Sequence, residues 1–102
     1  MIYVVKDNGK SYYHGNYYFY LYPTEAQAIQ GEKDVNYALD MSGAYHHSYW
    51  YSIDEDFPHT LEEVKNSIGY LTSEWFKRMG DPAYVFIYDE NGNMVQDYEV
   101  FP

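Results

Sequence analysis

The chain has 102 residues, 46% of them hydrophobic, no cysteine and a formal charge of −10. This composition is typical of a globular domain, and the lack of cysteine excludes disulfides, thiol catalysis and cysteine-based zinc sites. Six Lys and Arg stand against sixteen Asp and Glu, so we expect no direct binding to nucleic acid or to anionic membranes.

Residues 1–102 are expected to form a single domain, because interiors of this size rarely divide. The N-terminus has no basic segment followed by a long apolar run, which argues against a signal peptide. No stretch approaches the ~18–20 apolar residues that span a bilayer. The sequence therefore predicts a cytoplasmic protein.

The N-terminal part of the chain predicts strands. Residues 2–6 are rich in Val, Ile and Tyr, and Asn8-Gly9 favours a tight turn with a return strand near Ser11–His14. Tyr17–Tyr22 predicts a further strand that carries rings on both faces. Such a strand is either covered on both sides or uses one side for binding.

A first helix is predicted after this strand. Thr24 is a suitable N-cap and Gln27 completes a capping box, while Ser42-Gly43 ends the segment. Gly31 permits a break inside the helix, because glycine costs about 1 kcal/mol there relative to alanine. The aromatic residues within Ala44–Ile53 predict another strand.

The strongest helix signal begins at Thr60, where Glu63 completes a second capping box. Apolar residues then recur at spacings of three and four as far as Trp75, and Gly80 ends the helix. Glu90-Asn91-Gly92-Asn93 predicts a C-terminal hairpin. The fold class is therefore α+β: a single small antiparallel sheet, made of N- and C-terminal hairpins and packed against two helices.

Histidine and acidic residues cluster once in the sequence, and the cluster consists of His46, His47, Asp54, Glu55, Asp56 and His59. These residue types can bind zinc, but their spacing matches no known ligand pattern, and adjacent strand residues point to opposite faces. We therefore expect an exposed polar loop with no metal or other cofactor. Nucleophile-elbow and phosphate-loop motifs are also missing, so neither catalytic residues nor an enzyme is predicted.

Tyrosine is unusually abundant, with fifteen residues. Each ring removes about 150–250 Å² from water when buried, so a small interior cannot hold them all. Packing across strands explains part of the surplus, and the remaining rings are expected at the surface as anchors of a protein interface. The candidate binding residues, rings first and neighbouring carboxylates after them, are Tyr18, Tyr20, Tyr22, Tyr49, Tyr51, Asp54, Glu55, Asp56, Glu62 and Glu63.

In size, charge and lack of a catalytic motif, the chain resembles small acidic proteins of phages and mobile elements that inhibit nucleic-acid-binding enzymes. Some anti-restriction and anti-CRISPR proteins of this kind act as DNA mimics. The resemblance transfers no individual residue. It implies a non-enzymatic, acidic protein-binding module whose partner is a basic protein, such as a nucleic-acid-processing enzyme.

Other interpretations remain open at this point. A Tyr- and Trp-lined surface could instead bind a small ligand or a carbohydrate. Two copies of the chain could cover the aromatic surface by forming a homodimer. The acidic residues could serve solubility alone.

Overall fold

The structure, a computed structural model, describes residues 1–7, 17–44, 47–57, 60–68, 71 and 73–101. In chain order the elements are β1 (Ile2–Asp7), β2 (Tyr17–Tyr22), α1 (Glu25–Met41), β3 (Trp50–Ile53), α2 (Leu61–Ser67), α3 (Glu74–Met79), β4 (Ala83–Tyr88) and β5 (Met94–Val100). The predicted α+β class is confirmed. None of the helices in the described part of the chain is both long and apolar enough to cross a membrane.

The five strands form one sheet in the order β3-β1-β2-β4-β5. β1 and β2 pair antiparallel, as do β4 and β5, so strands near both termini pair as expected. A parallel pair, β2 with β4, joins the two halves and makes the sheet mixed rather than antiparallel throughout. The three helices and β3 supply the long crossover that a parallel pair requires. The return strand predicted near Ser11–His14 lies outside the described residues.

Helix α1 begins where its capping residues predict and continues through the glycine that permits a break. The Thr24 hydroxyl accepts a hydrogen bond from the backbone N–H of Gln27. A side chain at Gly31 would lie 2.6 Å from the hydroxyl oxygen of Tyr22 and 2.9 Å from its ring. Glycine at this position therefore allows the helix to approach the sheet closely.

The region predicted as one helix from Thr60 to Gly80 contains two. Helix α2 ends at Ser67, and its C-cap, Ile68, has an extended backbone. Helix α3 begins after its own N-cap, Ser73. The Ser73 hydroxyl accepts a hydrogen bond from the backbone N–H of Phe76. Such a local cap competes with a continuous helix.

Alternating side chains give the sheet two different faces. One of them, the core face, carries Ile2, Val4, Phe19, Leu21, Val85 and Ile87, which pack with Val64, Ile68 and Phe76 from the α2–α3 region. The opposite face, here the outer face, carries Val5 and Tyr22, where α1 packs. Helices therefore pack on both faces of the sheet. The structure has three helices in its described part, whereas the sequence predicts two.

Helix α1 lies toward the β3 edge of the outer face. It packs against β1, β2 and β3. The Asn36 amide exchanges two hydrogen bonds with the backbone of Ser48, at 2.7 and 3.0 Å. Glu32 accepts a 2.9 Å hydrogen bond from the backbone N–H of Trp50. These contacts hold α1 over one side of the sheet, and β4 and β5 lie toward the other side.

Candidate interaction surface

A group of rings occupies the outer face, beginning at Tyr22, which α1 contacts, and continuing beyond the helix. In β2 and β4 every second residue is buried on the core face, and the residues between them are aromatic. The parallel register places Tyr18 beside Tyr84, and Tyr20 beside Phe86. The aromatic block consists of six partly exposed rings: Tyr18, Tyr20, Tyr22, Tyr84, Phe86 and Tyr88.

The rings of the aromatic block stack in pairs across the two strands. Their centroids are 5.4 Å apart for Tyr18 and Tyr84, and 5.4 Å apart for Tyr20 and Phe86. Tyr22 and Tyr88 are 5.0 Å apart, and all three pairs lie within 22° of parallel. Stacked pairs of this kind add ~0.5–1.5 kcal/mol beyond the area they bury. The rings of the block thus pack against one another rather than act as independent side chains.

Carboxylates flank the aromatic block on both sides. Asp7 in β1 pairs with Tyr18, and Glu99 in β5 pairs with Tyr84, so one row across four strands reads acid, ring, ring, acid. Neighbouring strands are about 4.8 Å apart, which puts the two ends of this row about 14 Å apart. In the next row, Asp97 pairs with Phe86. Asp7, Asp97 and Glu99 are here called the acidic flanks.

Burial and nearby negative charge raise the pKa of several phenols of the aromatic block. Burial, with a further effect of Asp7, raises the pKa of Tyr20 to about 12. Burial likewise raises the pKa of Tyr22. The pKa of Tyr84 is raised by desolvation, by the charge of Glu99 and by the hydrogen bond that joins the two side chains. The hydroxyl groups of Tyr20, Tyr22 and Tyr84 therefore stay protonated to a higher pH than that of a free tyrosine.

A groove of about 290 Å³ borders the aromatic block between α1 and the β4–β5 turn. Tyr22 and Tyr88 line one side, and Gln30 and Asp34 of α1 line the other. The Gln30 amide donates a 2.9 Å hydrogen bond to Asp34, which holds these two polar side chains together. Aromatic faces beside an amide and a carboxylate suit a ligand that has both apolar faces and hydroxyl groups.

The candidate tyrosines do not all lie on this surface. Tyr18, Tyr20 and Tyr22 belong to the aromatic block. Tyr51 lies on the core face, where it packs against the buried cluster and where burial raises its pKa to about 12. Tyr49 precedes β3 and is 74% exposed. The structure thus brings together three of the five candidate rings.

The five candidate acids lie apart from the aromatic block. Asp54, Glu55 and Asp56 are exposed directly after β3, the edge strand opposite β5. Glu62 and Glu63 are exposed in the first turn of α2, where negative charge favours the helix dipole. The carboxylates beside the rings are instead those of the acidic flanks.

The surplus of tyrosine predicted from the sequence is confirmed for the described residues. Eleven of the tyrosines fall in this part of the chain, and of these only Tyr17 is buried. The candidate site omits three rings of the block, Tyr84, Phe86 and Tyr88. The signal that could have found them is the alternation of residues 83–88, which repeats the pattern of 17–22.

The cluster of histidine and acidic residues noted in the sequence is described only in part. His46 and His59 lie outside the described residues, and the ring of His47 contacts the carboxylate of Asp40. In the described ranges, no group of three or more His, Asp or Glu is placed to hold a metal ion.

No protein-family model, curated protein or solved structure matches the chain. The features that bear on function are therefore the aromatic block, its acidic flanks and the adjoining groove.

Proposed function

We propose that the protein is a non-enzymatic, acidic binding module that docks onto a basic protein partner through the aromatic block and its acidic flanks. The observation that carries the proposal is the partial exposure of six stacked rings on the outer face, where α1 contacts Tyr22 and lies toward β3. Soluble domains rarely leave contiguous aromatic surface in water unless it serves an interface.

Aromatic residues and carboxylates would act at different stages of docking. The formal charge of −10 attracts a basic surface from a distance, although salt screens this attraction beyond ~8 Å. Rigid stacked rings then supply contact area, since tyrosine loses little conformational freedom on binding and is enriched at interface hot spots. This division predicts that salt slows association and that ring truncation speeds dissociation.

A nucleic-acid-binding groove is the basic surface that such a module would fit best. Carboxylates can stand in for phosphates in a groove lined with Lys and Arg. The finer proposal is an inhibitor of a nucleic-acid-processing protein, encoded by a phage or mobile element and acting in the host cytoplasm. Asp54, Glu55 and Asp56, together with Glu62 and Glu63, would extend the negative field beyond the docking surface.

Site-specific photo-crosslinking tests the docking surface. A benzophenone amino acid replaces Tyr84 in the block or, as a control, Tyr37, which is 69% exposed on α1. We expect capture of a protein with a Lys- and Arg-rich surface through position 84, little capture through position 37, and strong loss between about 50 mM and about 500 mM salt. Equal capture at both positions, or capture that does not depend on the salt concentration, would contradict the proposal.

The groove beside Tyr22 and Tyr88 favours a second candidate function, the binding of a carbohydrate or another small polar ligand. Its stacked rings could pack against a sugar face, and Gln30 and Asp34 could bind hydroxyl groups. Calorimetric titration of a saccharide panel tests this function. We expect a bound saccharide to be lost in Tyr88→Ala and retained in Tyr37→Ala. Equal binding to both variants would remove the groove from consideration.

A further inference from the structure

The aromatic block contains two rows whose spacing matches that of an extended peptide. Tyr18 and Tyr84 form one row and Tyr20 and Phe86 form the next, two residues further along the same strands. Residues i and i+2 of a strand are about 6.8 Å apart, so the rows are separated by that distance. Alternate side chains of an extended segment lying along β2 and β4 would meet successive rows.

Each row offers the same pair of groups to a ligand, the face of the β4 ring that is turned away from its β2 partner and a β5 carboxylate. Glu99 pairs across β4–β5 with Tyr84 in the first row, and Asp97 pairs with Phe86 in the second. A planar cation can stack on a ring and donate two hydrogen bonds to a carboxylate beside it, and a guanidinium group does both. A lysine ammonium is compact and strongly hydrated, and it has no flat face to stack.

We propose that this surface binds two arginine side chains at positions i and i+2 of an extended segment of the basic partner. One guanidinium would stack on the face of Tyr84 that is turned away from Tyr18 and pair with Glu99. The other would stack on the face of Phe86 that is turned away from Tyr20 and pair with Asp97. The inference rests on the proposed protein-binding function and names the side chains of the partner that the protein recognises.

The contacts already made by Glu99 are compatible with this role. Its carboxylate shares a hydrogen bond with the Tyr84 hydroxyl, which holds the carboxylate close to the ring. A carboxylate offers about four acceptor positions, so this bond leaves room for two guanidinium N–H groups. Asp7 closes the opposite end of the row and adds negative charge there.

Charge argues for a cationic occupant rather than a second copy of the chain. Two copies that met through the aromatic block would bring the acidic flanks of one against those of the other, and each copy carries a charge of −10. An arginine-bearing segment places cations at the same positions. Asp97 and Glu99 would therefore repel a second copy of the chain and attract an arginine-bearing segment.

Synthetic peptides test the inference directly. The probe is acetyl-Gly-Ser-Arg-Thr-Arg-Ser-Gly-amide, titrated into isotope-labelled full-length protein and followed by NMR at about 50 mM salt. Three comparison peptides carry lysine at both arginine positions, citrulline at both, or the two arginines adjacent to each other. Citrulline keeps the planar shape and removes the charge, and the adjacent pair keeps the charge and changes the spacing.

We expect the Arg-Thr-Arg peptide to shift resonances of β2 and β4 and to bind several-fold more tightly than each comparison peptide. Tyr84→Ala should weaken its binding about two- to fivefold, the range for one exposed cation–π contact. Glu99→Gln should weaken binding by a similar factor. Tyr37→Ala and Glu74→Gln, which change exposed residues on α1 and α3, should leave binding unchanged.

Equal affinity for the arginine and lysine peptides would show that net charge alone determines binding, and it would overturn the inference. Equal affinity for alternate and adjacent arginines would overturn the spacing argument. If position 84 captures a basic protein but the peptides do not bind, arginine recognition fails and protein binding stands. If the peptides bind as expected but position 84 captures no protein, the proposed function fails instead.

Discussion

Replacing Gly31 by alanine tests where α1 meets the sheet, and hence where the exposed part of the outer face begins. Two effects of opposite sign compete at this position. Alanine favours a helix interior over glycine by about 1 kcal/mol. Against this, the new methyl group would lie 2.6–2.9 Å from three atoms of Tyr22, closer than side-chain carbons approach one another.

The clash should outweigh the gain in helix propensity. The Tyr22 ring is stacked on Tyr88 at 5.0 Å, so it cannot move away without disturbing that pair. Overpacking of this kind typically costs about 1–3 kcal/mol. Gly31→Ala is therefore expected to lower the free energy of unfolding by about 0–2 kcal/mol.

A double-mutant cycle separates the two effects. Urea denaturation followed by circular dichroism gives the free energy of unfolding for wild type, Gly31→Ala, Tyr22→Ala and the double variant. With the ring removed, Gly31→Ala should stabilise the protein by about 1 kcal/mol, which implies a coupling energy of about 1–3 kcal/mol. Stabilisation by the same amount in both backgrounds would refute the close approach of α1 to Tyr22.

Three further predictions concern the core, a helix cap and the phenol of Tyr20. Phe76→Ala should lower the free energy of unfolding by about 3–5 kcal/mol, because its ring is 1% exposed, and Phe86→Ala should lower it clearly less, because its ring already meets water. Equal losses in urea denaturation would show that the aromatic block is covered. Ser73→Ala should cost about 1 kcal/mol by the same measurement, since its hydroxyl caps α3, while exposed Ser52→Ala should change stability by less than about 0.5 kcal/mol. The pKa of Tyr20 is raised from 10.0 to about 12, so the folded state favours the neutral phenol; its contribution is complete below pH 10 and is lost as the pH rises toward about 12. Tyr20→Phe should make the alkaline loss of stability less steep, and identical pH profiles would contradict the assigned burial.

The local features of the fold were predictable because they depend on residues close in sequence. The Thr24 cap of α1 and the Thr60 cap of α2 both form, with backbone hydrogen bonds at 3.3 and 3.1 Å. The turn at 90–93 joins β4 and β5 as expected, with the Asp89 carboxylate accepting from the backbone of Asn91 and Asn93. The break between α2 and α3 was missed, because the apolar spacing continues across it while the Ser73 cap favours a new start.

The sequence predicted the type of residue in the candidate site, but it did not identify all of the residues that form it. Alternation in residues 17–22 predicted that Tyr18, Tyr20 and Tyr22 would share one side of the strand, and this follows from strand geometry alone. Whether that side would be covered was left open. The sequence could not show that Tyr84 and Phe86 stack on them. That contact joins residues more than sixty positions apart, and no local signal fixes which distant strand becomes the neighbour.

The amino-acid sequence by itself determined the α+β class, the caps and turns, the negative charge and an excess of rings over interior space. Each of these depends on composition or on contacts between near neighbours. Only the tertiary structure decided that β2 and β4 run parallel, that α1 lies toward β3, and that six rings align between carboxylates. These arrangements arise from packing between distant segments, where burial of apolar area selects the pairing and sequence proximity has no influence.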